Sequence, residues 1–217
     1  MPDLSTPQLV AVAFLPLLFA ITVHEVAHGW VAKQFGDPTA QRLGRLTLNP
    51  LKHIDPVGTI LVPGLLLLLG GFIFGWAKPV PVTWGNLRHP KRDMAIVAVA
   101  GPVANLIMAL VWAMIARLGV YLGPHSWFGL PLQYMGFFGI EINIVLMVLN
   151  LLPMPPLDGG RVAVGLLPGP LAWQLSRVEP FGFFIIMGLM ATGVLSAIIN
   201  PPIHAIVQIV TSVAGLG

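Results

Sequence analysis

Long apolar runs alternate with short polar loops along the whole chain. A helix that rises about 1.5 Å per residue needs about 20 apolar residues to cross a bilayer. The runs that predict helices in the membrane are Leu9–Ala32, Met94–Ala116, Phe137–Leu152 and Phe181–Ile199. Pro201 and Pro202 are expected to end the last helix, and the shorter run Ile203–Leu216 is expected to lie in or on the membrane.

A further apolar run, Val57–Phe74, contains prolines and glycines, and it is basic on both sides. Because basic loops stay on the cytoplasmic side, we expect this run to enter and leave on that side, as a helix going in and a strand coming back. A single full span is the alternative. The flanking basic residues are Lys33, Arg42, Arg45 and Lys52 before the run, and Lys78, Arg88, Lys91 and Arg92 after it.

Two stretches beside this run predict extended backbone. Apolar and polar residues alternate in "GRLTLNP", Gly44–Pro50, which favours a short strand. In "WAKPVPVTW", Trp76–Trp84, the residue before each proline avoids the helical region. We therefore expect an otherwise all-α membrane protein of about five to six hydrophobic segments, with a short re-entrant β or extended element on the cytoplasmic side.

Composition agrees with a protein embedded in the membrane. Of the 217 residues, 56% are hydrophobic and 9% are charged, whereas about 25% are charged in a typical soluble domain. The formal charge of +3 is carried by loops between apolar runs, so it indicates anchoring at a lipid surface and no nucleic acid partner. There is no cysteine, so a metal must be held by His, Asp or Glu.

The first apolar run carries a pattern with chemical meaning. His24-Glu25-Val26-Ala27-His28 places two histidines at i and i+4, on one face of a helix. That spacing suits one zinc ion, and the glutamate beside the first histidine can take a proton from a metal-bound water. His28 lies five residues before Lys33, about 7–8 Å along the helix, which predicts a site open towards the cytoplasmic side.

A catalytic zinc takes three protein ligands and keeps one position for water. Asp158 is the first candidate for the third ligand, because it closes a proline-broken stretch and two glycines follow it. Glu141, near the outer end of its run, is the second candidate, and His53 is a weaker one.

The histidine pattern, together with "NLLPMPPLDGG" at Asn150–Gly160, resembles the site-2 protease family of intramembrane zinc metalloproteases. That family pairs HExxH with N-x-x-P-x-x-x-L-D-G on a later helix. A third shared element is "AGPVAN", Ala100–Asn105, on the intervening helix. "GRLTLNPLKHIDPVGT" and "GWAKPVPV" are similar to the short prokaryotic members, so we expect a type without PDZ or CBS domains.

The resemblance implies that His24, His28 and Asp158 bind one zinc ion and that Glu25 is the catalytic base. It also implies that Asn150 lies near the zinc and positions the substrate or its oxyanion. Asn105 is expected to support the core or the substrate site or, equally, to make a hydrogen bond between helices. Gly101 and Pro102 are expected to serve packing.

The resemblance further implies a zinc-dependent endopeptidase that cleaves peptide bonds in or near transmembrane segments of membrane proteins. We expect one membrane domain over residues 1–217, with a catalytic core at about 8–165 and C-terminal hydrophobic segments at 180–217. Around Gly75, the stretch Gly70–Val82 would offer a strand edge to an unwound substrate, or it would merely plug the cytoplasmic mouth. The expected location is a prokaryotic cell membrane. The alternative function is a metal-ion transporter that uses the His and Asp cluster.

Overall fold

The computed structural model describes residues 5–62, 64–65 and 78–217, and every regular element in these ranges is helical. Short 3₁₀ turns cover Pro50–Lys52 and Trp84–Asn86, and a π-helical turn covers Pro56–Leu61. The α-helices are α1 (Thr6–Gln34), α2 (Thr39–Arg42), α3 (Pro90–Leu122), α4 (Gly129–Asn150), α5 (Asp158–Leu166), α6 (Gly169–Ser176), α7 (Glu179–Ala191) and α8 (Val194–Val213).

Four of these helices, α1, α3, α4 and α8, are long and apolar enough to cross a membrane. The apolar helix α7 is shorter, at 13 residues. The prediction of a helical membrane protein is therefore confirmed, but the described residues hold four candidate spans where five to six segments were expected. Most of the run Val57–Phe74 lies outside the described residues, and so does the predicted return strand.

The C-terminal boundaries differ from the prediction. The expected span Phe181–Ile199 is divided at Gly193, whose φ of 74° is in the left-handed region that favours glycine. Pro201 and Pro202 lie inside α8 and do not end it. Membrane helices tolerate such prolines because neighbouring groups and local adjustments satisfy the freed backbone carbonyls. The C-terminal apolar run is therefore divided at Gly193 and not at the two prolines.

The prediction of a strand at Gly44–Pro50 is wrong. This segment is a loop, in which the Asn49 N–H bonds the Thr47 hydroxyl at 3.2 Å and the Leu51 N–H bonds the Asn49 side chain at 3.1 Å. Local side-chain acceptors of this kind compete with strand pairing. The stretch at residues 78–83 has no helix, as expected for its prolines, and no strand partner among the described residues.

Helix α3 is the centre of the bundle and packs on α1, α4 and α5. Glycines allow α4 to approach it closely, since a Cβ at Gly139 would lie 2.3 Å from the Trp112 ring and one at Gly136 would lie 2.5 Å from Ala116. Small residues at such contacts are typical of helix packing in membranes. The main apolar core lies between α3, α4 and α8, and it includes Trp112, Ile140, Ile144, Met147, Ile203 and Val210.

Two loops meet where α1 ends and α3 begins. The Arg88 N–H bonds the Phe35 carbonyl at 3.1 Å, and the Lys78 N–H bonds the His53 carbonyl at 2.9 Å. Residues 53 and 78, which flank the interrupted apolar run, are therefore neighbours. We call this end of the bundle the basic end, because it carries Lys33, Arg45, Lys78, Arg88, Lys91 and Arg92.

Candidate metal centre

Residues from two distant parts of the sequence converge near the basic end. His24 and His28 lie one turn apart on α1, and Asp158 is the first residue of α5. All three are buried, with exposed fractions of 7%, 7% and 6%. Among the described residues they form the one cluster of His, Cys, Asp or Glu with metal-ligand spacing.

The three ligand atoms form a nearly equilateral triangle. The Nε2 atoms of His24 and His28 are 3.1 Å apart, and each lies 3.2 Å from Oδ2 of Asp158. Zinc bonds of about 2.0–2.1 Å in tetrahedral geometry place neighbouring ligands about 3.3 Å apart. The observed spacing is therefore that of three ligands on one small cation.

Hydrogen bonds on the far side of each imidazole fix its tautomer. His24 Nδ1 lies 2.6 Å from Oδ1 of Asn105, and His28 Nδ1 lies 2.7 Å from the Val97 carbonyl. Both partners are acceptors, so each Nδ1 carries the proton and each Nε2 presents a lone pair. With both imidazoles neutral, the triangle consists of three acceptors, an arrangement that a cation stabilises.

The orientation of the Asn105 amide is itself fixed by a buried chain of amides. Its Nδ2 donates to the Ala20 carbonyl at 3.2 Å and to Oδ1 of Asn143 at 2.9 Å. Asn143 in turn donates to the Gly139 carbonyl at 2.8 Å. Both asparagines are fully buried. The interhelical hydrogen bond expected of Asn105 is thus present, and the same side chain also contacts Nδ1 of His24. Asn143 was missed, although an amide inside an apolar run was a visible signal.

Glycines bring the surrounding backbone close to the ligands. A Cβ at Gly101 would lie 2.4 Å from His28 Nε2 and 2.5 Å from His24 Cε1. A Cβ at Gly159 would lie 2.3 Å from the Leu151 carbonyl, and one at Gly160 would lie 2.2 Å from the Pro155 nitrogen. The Asp-Gly-Gly sequence therefore lets the loop at residues 151–157 fold against the start of α5, and Gly101 leaves room for both imidazoles.

The Glu25 carboxylate contacts the non-helical stretch at residues 78–83. Its Oε2 accepts the Val80 N–H at 2.7 Å, and the residue is half-buried. Its second carboxylate oxygen has no recorded partner within the described part of the chain. A carboxylate beside a metal site with one oxygen held by a main-chain donor is suited to proton transfer.

The other candidates from the sequence have different surroundings. Asn150, at the end of α4, donates its amide to the Leu146 carbonyl of its own helix at 3.0 Å and is half-buried. Glu141 is exposed on α4 and is not in the cluster. His53 is buried, and its Nε2 lies 2.9 Å from the Thr47 carbonyl, where it supports a loop. Gly75 lies outside the described residues.

Comparison with known proteins decides the family. The model of peptidase family M50 matches residues 12–130, which is more than half of the chain. The chain belongs to peptidase family M50. The matched stretch contains the two histidines and Asn105, while Asp158 follows it. The predicted membership of the site-2 protease family is confirmed, and with it the assignment to the metalloendopeptidases.

Individual relatives of this M50 peptidase carry names of the same kind. A protein of Bacillus subtilis (strain 168) named "Putative zinc metalloprotease YwhC" is 39% identical over 193 residues, 88% of this chain and 85% of that protein. A protein named "Putative zinc metalloprotease Rip2" from Mycolicibacterium smegmatis (strain ATCC 700084 / mc(2)155) is 33% identical, over 82% of this chain and 66% of the relative. No solved structure matches the chain.

Proposed function

We propose that this M50 peptidase hydrolyses peptide bonds in or near the transmembrane segments of other membrane proteins, with one zinc ion. The proposal is carried by one observation: three buried acceptor atoms lie 3.1–3.2 Å apart, and the two histidines among them flank Glu25 in sequence on a helix long enough to span a membrane. The family supports a metalloprotease over the alternative of a metal transporter.

His24, His28 and Asp158 would hold the zinc through the atoms that form the triangle. Zinc bound there would supply a Lewis acid and a water of lowered pKa. Asn105 would keep Nε2 of His24 available as a ligand, because it accepts the proton on Nδ1. The Val97 carbonyl would do the same for His28.

Glu25 would move the protons of the reaction. It would accept a proton from the attacking water on the oxygen that Val80 leaves free. As the water oxygen bonds to the peptide carbonyl carbon and the C–N bond breaks, Glu25 would pass that proton to the leaving amine. Asn150, on the last turn of α4, would orient the substrate carbonyl.

The basic end would face the cytoplasm of a prokaryotic cell, since basic loops are retained on that side. His28 lies six residues before the end of α1, about 9 Å along the axis, so water would reach the site from the cytoplasm. The substrate helix must unwind before cleavage, and the non-helical stretch at residues 78–82 would hold the unwound chain by main-chain bonds.

The deciding experiment is cleavage of a reporter with one transmembrane segment by the purified, zinc-loaded chain. We expect Glu25→Gln to lower kcat by at least about a hundredfold, because proton transfer by a placed side chain contributes that much. Its zinc content should stay at one ion per chain. Glu141→Gln, at an exposed acid on α4, is the matched control and should cleave normally. Equal cleavage by wild type and Glu25→Gln would reject the proposed mechanism.

A further inference from the structure

The segment Lys78–Thr83 runs past the catalytic side of α1 and is fixed to it at Val80. The Val80 N–H donates to Glu25, and the Val80 side chain is buried against Gly29, where a Cβ would lie 2.7 Å from Val80 Cγ1. Gly29 directly follows His28. Val80 thus occupies a notch on the helix that carries both the metal ligands and the glutamate.

The ends of this segment are held by other contacts. At one end, Lys78 donates its N–H to the His53 carbonyl at 2.9 Å, and its own carbonyl accepts from Arg45 Nη2 at 2.8 Å. At the other end, the Thr83 N–H donates to Oδ2 of Asp37 at 2.6 Å. Pro79 and Pro81 have no N–H, so the segment depends on these few donors.

Asp37 is the most fully bonded of these anchors. Its carboxylate is 1% exposed and accepts the Thr83 N–H, the Thr39 N–H at 3.0 Å, the Thr39 hydroxyl and the Asn86 amide at 2.9 Å. Gly36, with φ of 105°, turns the chain after α1 so that Asp37 faces the segment. A Cβ at Gly36 would lie 3.1 Å from the Asn86 carbonyl.

We propose that Asp37 is a positioning residue for Glu25, and that it acts through the segment Lys78–Thr83. Asp37 holds Thr83, which sets the path of the backbone to Val80, and the Val80 N–H selects the orientation of the Glu25 carboxylate. A glutamate that is not held must lose rotamer freedom when it is ordered for reaction, which raises the barrier. The effect of Asp37 on catalysis rests on the proposed role of Glu25. The mechanical link from Asp37 through Thr83 to the Val80 N–H does not depend on that role.

The test compares Asp37→Asn with Asp93→Asn in the purified full chain. Asp93 is a close match, since it is also 1% exposed and accepts a backbone N–H, from His89 at 2.7 Å, but it lies in the first turn of α3. Hydrogen exchange at the Val80 amide measures how firmly this N–H is held, and it does not depend on a cleavage assay. Asp37→Asn should speed that exchange by about tenfold or more, because local opening becomes easier. Asp93→Asn should leave it unchanged.

Cleavage kinetics provide the second readout. Asp37→Asn should lower kcat roughly ten- to a hundredfold, as small misplacements of catalytic groups do, with little change in KM and with one zinc ion still bound. Thr83→Pro removes the N–H that Asp37 accepts, together with a hydroxyl that lies 3.0 Å from the Thr39 hydroxyl. It serves if Asp37→Asn does not fold, and it should act in the same direction.

The outcomes separate this proposal from the proposed function. If Val80 exchange and kcat in Asp37→Asn match those in Asp93→Asn, Asp37 is only a structural residue and the inference is overturned. If Glu25→Gln cleaves like wild type, the proposed function fails, but faster Val80 exchange in Asp37→Asn would still establish the mechanical link.

Discussion

At the scale of single residues, Gly101 is the strictest requirement of the centre. A methyl group there would lie 2.4 Å from His28 Nε2, far inside normal contact distance, and the packed α1–α3 contact leaves little room for relaxation. We expect Gly101→Ala to lower zinc content well below one ion per chain and to abolish cleavage. Gly188→Ala, at a glycine with open space around it, is the control. Full zinc occupancy in Gly101→Ala, measured by elemental analysis, would contradict this account.

The individual residues also show what the sequence could and could not predict. The i, i+4 histidines fix their own geometry through the helix, so His24 and His28 were predictable from spacing alone. Asp158 could be ranked first but not placed, since its position depends on how the loop before α5 folds. Gly101 was interpreted as a packing residue, because its contact with both imidazoles arises only when α1 and α3 pack together.

At the scale of elements, the turn after α1 predicts a dependence on pH. Burial raises the pKa of Asp37, but the hydrogen bonds from Asn86, Thr39 and Thr83 outweigh it and hold the pKa below its usual value of 3.8. Such a group stabilises the fold above pH 3.8, and its contribution is lost as the pH falls through that value to the lower folded pKa. The difference in thermal stability between wild type and Asp37→Asn should therefore shrink on acidification from pH 7. A constant difference would contradict it.

The elements themselves were predicted best where apolar runs are long. Helices α1, α3 and α4 contain nearly all of the runs that predict them, because continuous apolar length is enough to specify a span. The break in the C-terminal apolar run was predicted at the wrong residue. Its position depends on whether Pro201 or Gly193 destabilises a continuous helix more in its surroundings. The segment Gly44–Pro50 was also mispredicted, because side-chain acceptors such as Thr47 and Asn49 determine its backbone path.

At the scale of the whole molecule, the candidate metal centre joins two parts of the chain. Asp158 belongs to α5, which packs mainly on α3 and α6, while both histidines belong to α1. Without a cation, the three acceptor atoms at 3.1–3.2 Å would repel one another. A metal that binds only the folded state stabilises it by mass action, by about 4 kcal/mol when its free concentration is 1,000 times Kd.

Chelation should therefore lower the thermal stability of the intact chain, and added zinc should restore it. Asp158→Asn keeps the shape of the side chain but removes its charge, so chelation should shift its unfolding temperature much less. Glu141→Gln should respond like wild type, since that acid is exposed on α4. The measurement is thermal unfolding in detergent with chelator and after zinc is returned. An equal shift in wild type and Asp158→Asn would mean that zinc stabilises the molecule elsewhere, because a metal held by the triangle depends on the Asp158 carboxylate to link α5 to α1.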